Sequence, residues 1–159
     1  MIEYRTGNLL HSEAEALVNA VNCVGVMGKG IALQFKQAYP ENFSFYERAC
    51  RENKVKPGKV LVFLTGLFTN PQYIVNFPTK RHFRGKSTLE DIRNGLDDLI
   101  KEIQILNIKS IAVPRLGCGN GGLEWEEVQP LMEEAFARVP KVQVFIYEPG
   151  KGHHLLGIG

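Results

Sequence analysis

Six strand-length runs of apolar residues, at 2–4, 16–21, 59–64, 73–77, 110–113 and 142–147, alternate along the chain with segments of helical periodicity. Several of these runs lack the apolar-polar alternation of a strand with one wet face, the pattern of strands covered on both sides by helices. Between them, Leu89, Ile92, Leu96, Leu99, Ile100 and Ile103 recur at helical spacing behind Ser87-Thr88-Leu89-Glu90, which has the spacing of a capping box. A second stripe runs through Trp125, Val128, Met132, Phe136 and Val139 to Pro140, a third through Ile31, Phe35 and Ala38 to Pro40, and a shorter helix covers 43–51. Strands and helices alternating with short connections predict a three-layer α/β/α domain with a mixed, mostly parallel central sheet. Right-handed crossovers then bring the ligand loops to the carboxyl ends of the strands.

Composition narrows the chemistry only a little. At 159 residues, 44% hydrophobic, the chain is long enough for one core without staples, and disorder is excluded. A net charge of +2 leaves the choice of partner to local clustering. Cys23, Cys50 and Cys118 form no CxxC pair, so a reducing cytoplasm and no disulfide framework are expected. His11, His82, His153 and His154 fit no ligand spacing, so no metal is expected. The first residues are charged and lack a long apolar stretch, which speaks against a signal peptide or membrane anchor. Residues 1–149 are expected to form the domain, with 150–159 a Gly/His-containing tail, linker or cloning remnant.

Two glycine-rich loops each leave a strand and enter a helix. Gly117-Cys118-Gly119-Asn120-Gly121-Gly122 can turn backbone amides toward an anion at a positive helix end. It also satisfies GxGxxG, but a dinucleotide fingerprint expects an early strand-helix-strand unit and an acid about 20 residues on, and residues 140–144 contain none. The other loop, Asn22 to Ala32, holds Gly25, Gly28, Lys29 and Gly30, with Asn19 and Asn22 able to bond ribose hydroxyls. Two such loops suit a diphosphate flanked by two sugars.

In order along the chain, Thr6-Gly7-Asn8-Leu9-Leu10, then Ala16 to Asn22, then Met27-Gly28-Lys29-Gly30-Ile31-Ala32, then Val113-Pro114-Arg115-Leu116-Gly117-Cys118-Gly119 resemble the ordered motifs of macrodomains. The resemblance spans residues 1–149 and implies an ADP-ribose pocket. It sets Asn8 and Leu9 near the adenine, and Ala20, Val21, Asn22 and Ile31 around the distal ribose. The resemblance likewise implies Gly117, Cys118, Gly119, Asn120 and Gly121 around the diphosphate, and Met27, Gly28 and Thr79 against the nucleotide.

The stretch from Asn76 through Thr79, Lys80, Arg81, His82, Phe83, Arg84, Gly85 and Lys86 to Ser87 is similar to that of the terminal ADP-ribose glycohydrolase subgroup, and most to its DarG-type antitoxin macrodomains. That likeness implies a cofactor-free and metal-free hydrolase with Lys80 as catalytic nucleophile. Its implied substrate is mono-ADP-ribose on bases of single-stranded DNA, and its implied partner is a DNA ADP-ribosyltransferase toxin. Where animal members of the subgroup can carry an aspartate after the glycine loop, this chain has Asn120-Gly121-Gly122, which favours a lysine-centred mechanism.

The residues' own chemistry is compatible. A lysine amine becomes nucleophilic when burial or neighbouring cations lower its pKa, and Arg81, Arg84 and Lys86 are the expected neighbours of Lys80. With Phe83 they form a run that can track phosphates and stack a base, which makes Arg81, His82, Phe83 and Arg84 candidate DNA contacts. Read alone, the same run is equally a solvated basic loop. An ester hydrolase acting on ADP-ribosylated acidic side chains and an ADP-ribose-binding module without turnover remain alternatives.

Overall fold

The computed structural model describes residues 1–149; the expected tail at 150–159 lies outside the described residues. The chain runs β1 (Ile2–Thr6), β2 (Ala16–Val21), α1 (Gly30–Ala38), α2 (Pro40–Arg51), β3 (Leu61–Leu64), β4 (Tyr73–Pro78), α3 (Leu89–Leu106), β5 (Ser110–Pro114), α4 (Trp125–Phe136) and β6 (Gln143–Glu148). Single 3-10 turns at Leu9–His11 and Gly119–Gly121 follow β1 and β5.

The six strands form one sheet in the order β1-β6-β5-β2-β4-β3. Every neighbouring pair is parallel except β3 against β4, so the sheet is mixed but mostly parallel. The missing alternation has its cause in the packing. In β2, Ala16 and Val18 face the core shared with α3 and α4, while Leu17 faces the core closed by α1. Val75 and Phe77 of β4 face the first core and Ile74 the second, so both faces of the strand are apolar. Burying each such side chain contributes about 1.5–3 kcal/mol, which fixes the register of the central strands.

Two helix starts differ from expectation. Thr88, not Ser87, caps α3, with its hydroxyl accepting from the Asp91 amide at 3.2 Å. Ser87 is instead buried under the Gly117–Gly122 loop, its own amide donating to the Gly121 carbonyl at 2.9 Å. Pro40 ends the run of α1 but also opens α2, because a proline at the first helical position gives up an amide that has no partner there anyway. Among the described residues no helix is long and apolar enough to cross a membrane.

Candidate active site

The carboxyl ends of all five parallel strands open on one cavity of about 380 Å³. Gly7 and Asn8 follow β1, Ala20 and Val21 end β2 and Asn22 follows it, Thr79 and Lys80 follow β4, Pro114 ends β5 and Arg115 follows it, and Tyr147 and Glu148 end β6. Covered parallel sheets bind ligands at this end because the loops leaving adjacent strands diverge there.

The first glycine loop is held shut by Asn22. Its Oδ1 accepts from the Val24 and Val26 amides at 3.1 and 3.4 Å, and its Nδ2 donates to the Val26 carbonyl at 2.7 Å. The buried Tyr46 hydroxyl, from α2, stands 2.7 Å from the same Oδ1 and 2.8 Å from the Asn22 carbonyl oxygen. The Asn22 oxygen is therefore saturated, and one amide hydrogen remains for a ligand. Lys29 offers no side-chain cap to α1, so among the described residues the first amides of that helix are unclaimed at the cavity wall.

The second loop packs against the first and against the segment after Lys80. A Cβ on Gly30 would stand 3.3 Å from Asn120 Nδ2, and one on Gly121 would stand 2.5 Å from Ser87 Oγ. Gly117 has φ +76° and would meet Leu123 Cδ1 at 2.8 Å, so this turn admits no side chain. Among the described residues the Gly119 and Asn120 amides find no backbone acceptor, which leaves two donors at the start of the 3-10 turn.

Lys80 is set by pairing that continues past the strands. The Thr79 amide donates to the Val21 carbonyl at 2.8 Å and the Cys23 amide to the Arg81 carbonyl at 3.2 Å, which extends the β2–β4 pairing around Lys80. Its Nζ donates to the Phe83 carbonyl at 2.9 Å. Burial and then the charge of Lys29 hold the Lys80 amine below the usual lysine range. The cation that acts on it is thus Lys29, from the other loop. Arg81 is turned to Asp91, 3.3 Å away, and is no part of either cavity wall.

Burial pushes the Cys23 and Cys118 thiols each up to about 11, which keeps them protonated at neutral pH and unsuited to nucleophilic attack.

Of the residues expected at the nucleotide, Asn8, Leu9, Ala20, Val21, Asn22, Gly28 and Ile31 line the cavity. So do Thr79, Lys80, Gly117, Cys118, Asn120 and Gly121, and Phe83 joins them from the basic run. Asn8 also caps the first 3-10 turn, its Oδ1 accepting from the Leu10 amide at 3.0 Å. Met27 and Gly119 do not reach the cavity. Met27 is 1% exposed and lies in the core under α2, where its sulfur accepts from Asn19 Nδ2 at 3.7 Å. Asn19 is itself fully buried and offers nothing to a ribose.

Arg115, Tyr147 and Glu148 line the cavity without having been singled out as ligand residues. Arg115 Nη2 sits 2.8 Å from Glu148 Oε1, and its guanidinium carbon is 4.6 Å from the Trp125 ring centre. The signal that could have found them is position: each ends or follows a strand that the apolar runs had already located.

The Macro domain family profile matches residues 18–132. A DNA ADP-ribosyl glycohydrolase of Mycobacterium tuberculosis is 55% identical over 152 residues, 96% of this chain and 43% of the relative. One of Thermus aquaticus is 50% identical over 149 residues, 94% of this chain and 41% of the relative. The chain spans less than half the length of these curated relatives. The solved macrodomain of Mycobacterium tuberculosis DarG superposes with a TM-score of 0.93 at 55% identity, over 94% of this chain and 99% of that one. Thermosipho africanus DarTG in complex with ADP-ribose superposes with a TM-score of 0.83 at 32% identity, over 93% of this chain and 42% of that one. The family match runs from β2 into α4 and takes in both glycine loops that frame the cavity: this chain belongs to the macrodomain family.

Proposed function

We propose that this macrodomain is a hydrolase that removes mono-ADP-ribose from bases of single-stranded DNA, with Lys80 as nucleophile, and that it counteracts a DNA ADP-ribosyltransferase toxin. The observation that carries the reading is the position of Lys80. Its amine stands where the strand-end cavity meets a second, basic hollow, and burial and Lys29 favour its neutral form. The names of the Mycobacterium and Thermus relatives support the substrate, and a Thermosipho africanus relative described as a DNA ADP-ribosyl transferase-DNA ADP-ribosyl glycohydrolase fusion protein, 34% identical, supports the toxin partner.

In this reading ADP-ribose occupies the strand-end cavity. Its diphosphate takes the free Asn120 amide and the start of α1. The lone pair of Lys80 Nζ then forms a bond to the anomeric carbon of the distal ribose, and the bond from that carbon to the base breaks. The base leaves with the electron pair and recovers a proton through water from the attacking amine. Opening of the sugar ring leaves a protonated Schiff base between Lys80 and the open-chain sugar. Water adds to it, the bond from carbon to Nζ breaks, and ADP-ribose is released with the amine restored.

The test is release of ADP-ribose from a single-stranded oligonucleotide mono-ADP-ribosylated on a base, in the presence of chelator. Wild type should turn over and Lys80→Ala should not, while both bind free ADP-ribose within about threefold, because the bond from the amine to the anomeric carbon forms only on the way to the transition state. Release by neither protein rules out the DNA reading, and equal release by both rules out Lys80.

A further inference from the structure

Beyond Lys80 a second hollow of about 400 Å³ adjoins the first and shares Lys29, Lys80, Phe83 and Asn120 with it. Its remaining lining is Arg84, Gly85 and Lys86. Four basic side chains therefore face one space, and no acidic side chain lines it. Among the described residues none of the four takes part in an ion pair, whereas Arg81, in the same run, is paired with Asp91. Lys86 lies along the phosphate loop, its Nζ 3.6 Å from where a Gly122 side chain would begin. Like charges gathered without a counter-charge repel, and that arrangement is relieved by an anion.

We propose that the hollow walled by Lys29, Arg84 and Lys86 seats a backbone phosphate of the DNA strand whose base carries the ADP-ribose. The proposal rests on the DNA reading above and adds how the rest of the strand is held. A substrate with its ADP-ribose in the first cavity and its anomeric carbon at Lys80 presents the attached group on the wall common to both spaces, next to the hollow. A nucleic acid strand brings one negative charge per nucleotide to that place, and Arg and Lys both bind phosphate oxygens by charge-assisted hydrogen bonds.

The aromatic ring in the hollow is not laid open for a base. The His82 ring packs on Phe83 with centroids 4.2 Å apart and planes 30° apart, and the Arg84 guanidinium carbon stands 5.4 Å over the same ring. Stacking a base on Phe83 requires one of these to move, while a phosphate needs neither to. The hold is therefore on the backbone and carries no sequence preference.

The experiment compares wild type with Arg84→Gln/Lys86→Gln on two substrates, a mono-ADP-ribosylated oligonucleotide and the corresponding mono-ADP-ribosylated nucleoside, which has no backbone phosphate. Both side chains are exposed, so the fold is not at stake. On the oligonucleotide kcat/KM should fall by at least about tenfold, the loss of one charge-assisted contact, and its dependence on log salt should flatten by roughly one unit. On the nucleoside it should stay within about threefold, since no phosphate contact is lost there. Equal losses on both substrates, or none on the oligonucleotide, overturn the phosphate seat while wild-type turnover leaves the DNA reading standing. Turnover of neither substrate by wild type overturns both.

Discussion

The strand-end cavity and the basic hollow beside it share a wall yet are built by opposite means. The cavity is made of backbone: strand ends, two glycine loops in close approach at Gly30 and Asn120, and an asparagine whose oxygen is saturated by its own loop and the Tyr46 hydroxyl. The hollow is made of long cationic side chains on the Lys80 to Lys86 segment and Lys29, most of them exposed. A preorganised backbone site binds one ligand shape and tolerates no added atoms, while solvated cations bind charge and tolerate replacement one at a time. Lys80 belongs to both, so one amine stands on the wall between a rigid space and an adaptable one.

The contrast predicts where substitution hurts most. Gly117→Ala forces a side chain into a left-handed turn and against Leu123, and Gly121→Ala presses on Ser87. Left-handed strain of about 1–2 kcal/mol and overpacking of about 1–3 kcal/mol together weaken ADP-ribose binding by roughly 100-fold. Titration calorimetry with free ADP-ribose checks this, and retention of affinity within threefold by both variants breaks the comparison on its rigid side.

Asn22→Ala comes next. It leaves the Val24 and Val26 amides and the Val26 carbonyl without their partner, and the Tyr46 hydroxyl keeps only the backbone oxygen. Partly buried groups left unpaired cost about 3 kcal/mol in sum, a fall in Tm of roughly 6–12 °C for a domain of this size. Thermal melting reads it directly. A shift under 2 °C means that the side chain faces the ligand more than its own loop.

How much of this was legible before the structure depends on range. The apolar runs located every strand to within two residues at either end, and in the central strands β2, β4 and β5 the cause is burial on both faces, which is written into each of them locally. The glycine loops were legible for the same reason, since positive φ and close approach demand glycine in place. Illegible were the contacts between distant segments. Ser87 is a good capping residue by type, yet Thr88 takes the cap because Ser87 is bound to Gly121. The neighbour that shifts Lys80 is Lys29 on the other loop, and proximity in sequence wrongly favoured Arg81, Arg84 and Lys86. Met27 sits in a glycine-rich loop but turns into the core, where an apolar side chain of its length is better accommodated.

Lys29 offers a finer test at the boundary of the two regions. The proposed attack needs the neutral amine, so kcat rises with pH and levels off above the lowered pKa of Lys80. Lys29→Gln removes a positive charge that disfavours protonation, so the Lys80 pKa rises and the ascending limb moves to higher pH. At neutral pH the rate falls by less than about tenfold, the scale of interactions between solvated charges. An unchanged limb would separate Lys80 from Lys29 and leave burial as the sole cause of its shift.

The smallest effect is expected at Arg81, and it is the one that best separates geometry from composition. By composition Arg81 is as good a DNA contact as Arg84, one fixed charge in the same run. By geometry it is spent on Asp91, 3.3 Å away at the start of α3, with its side chain 73% exposed, and it lines neither space. An exposed pair of this kind contributes about 0–1 kcal/mol. Arg81→Gln should therefore leave Tm within about 3 °C, and kcat/KM on an ADP-ribosylated oligonucleotide within about twofold, with its salt dependence unaltered. If Arg81→Gln instead flattens the salt dependence as far as Arg84→Gln does, the Asp91 pair opens when the strand arrives. The anionic strand would then be held by the whole basic run and not by the hollow alone.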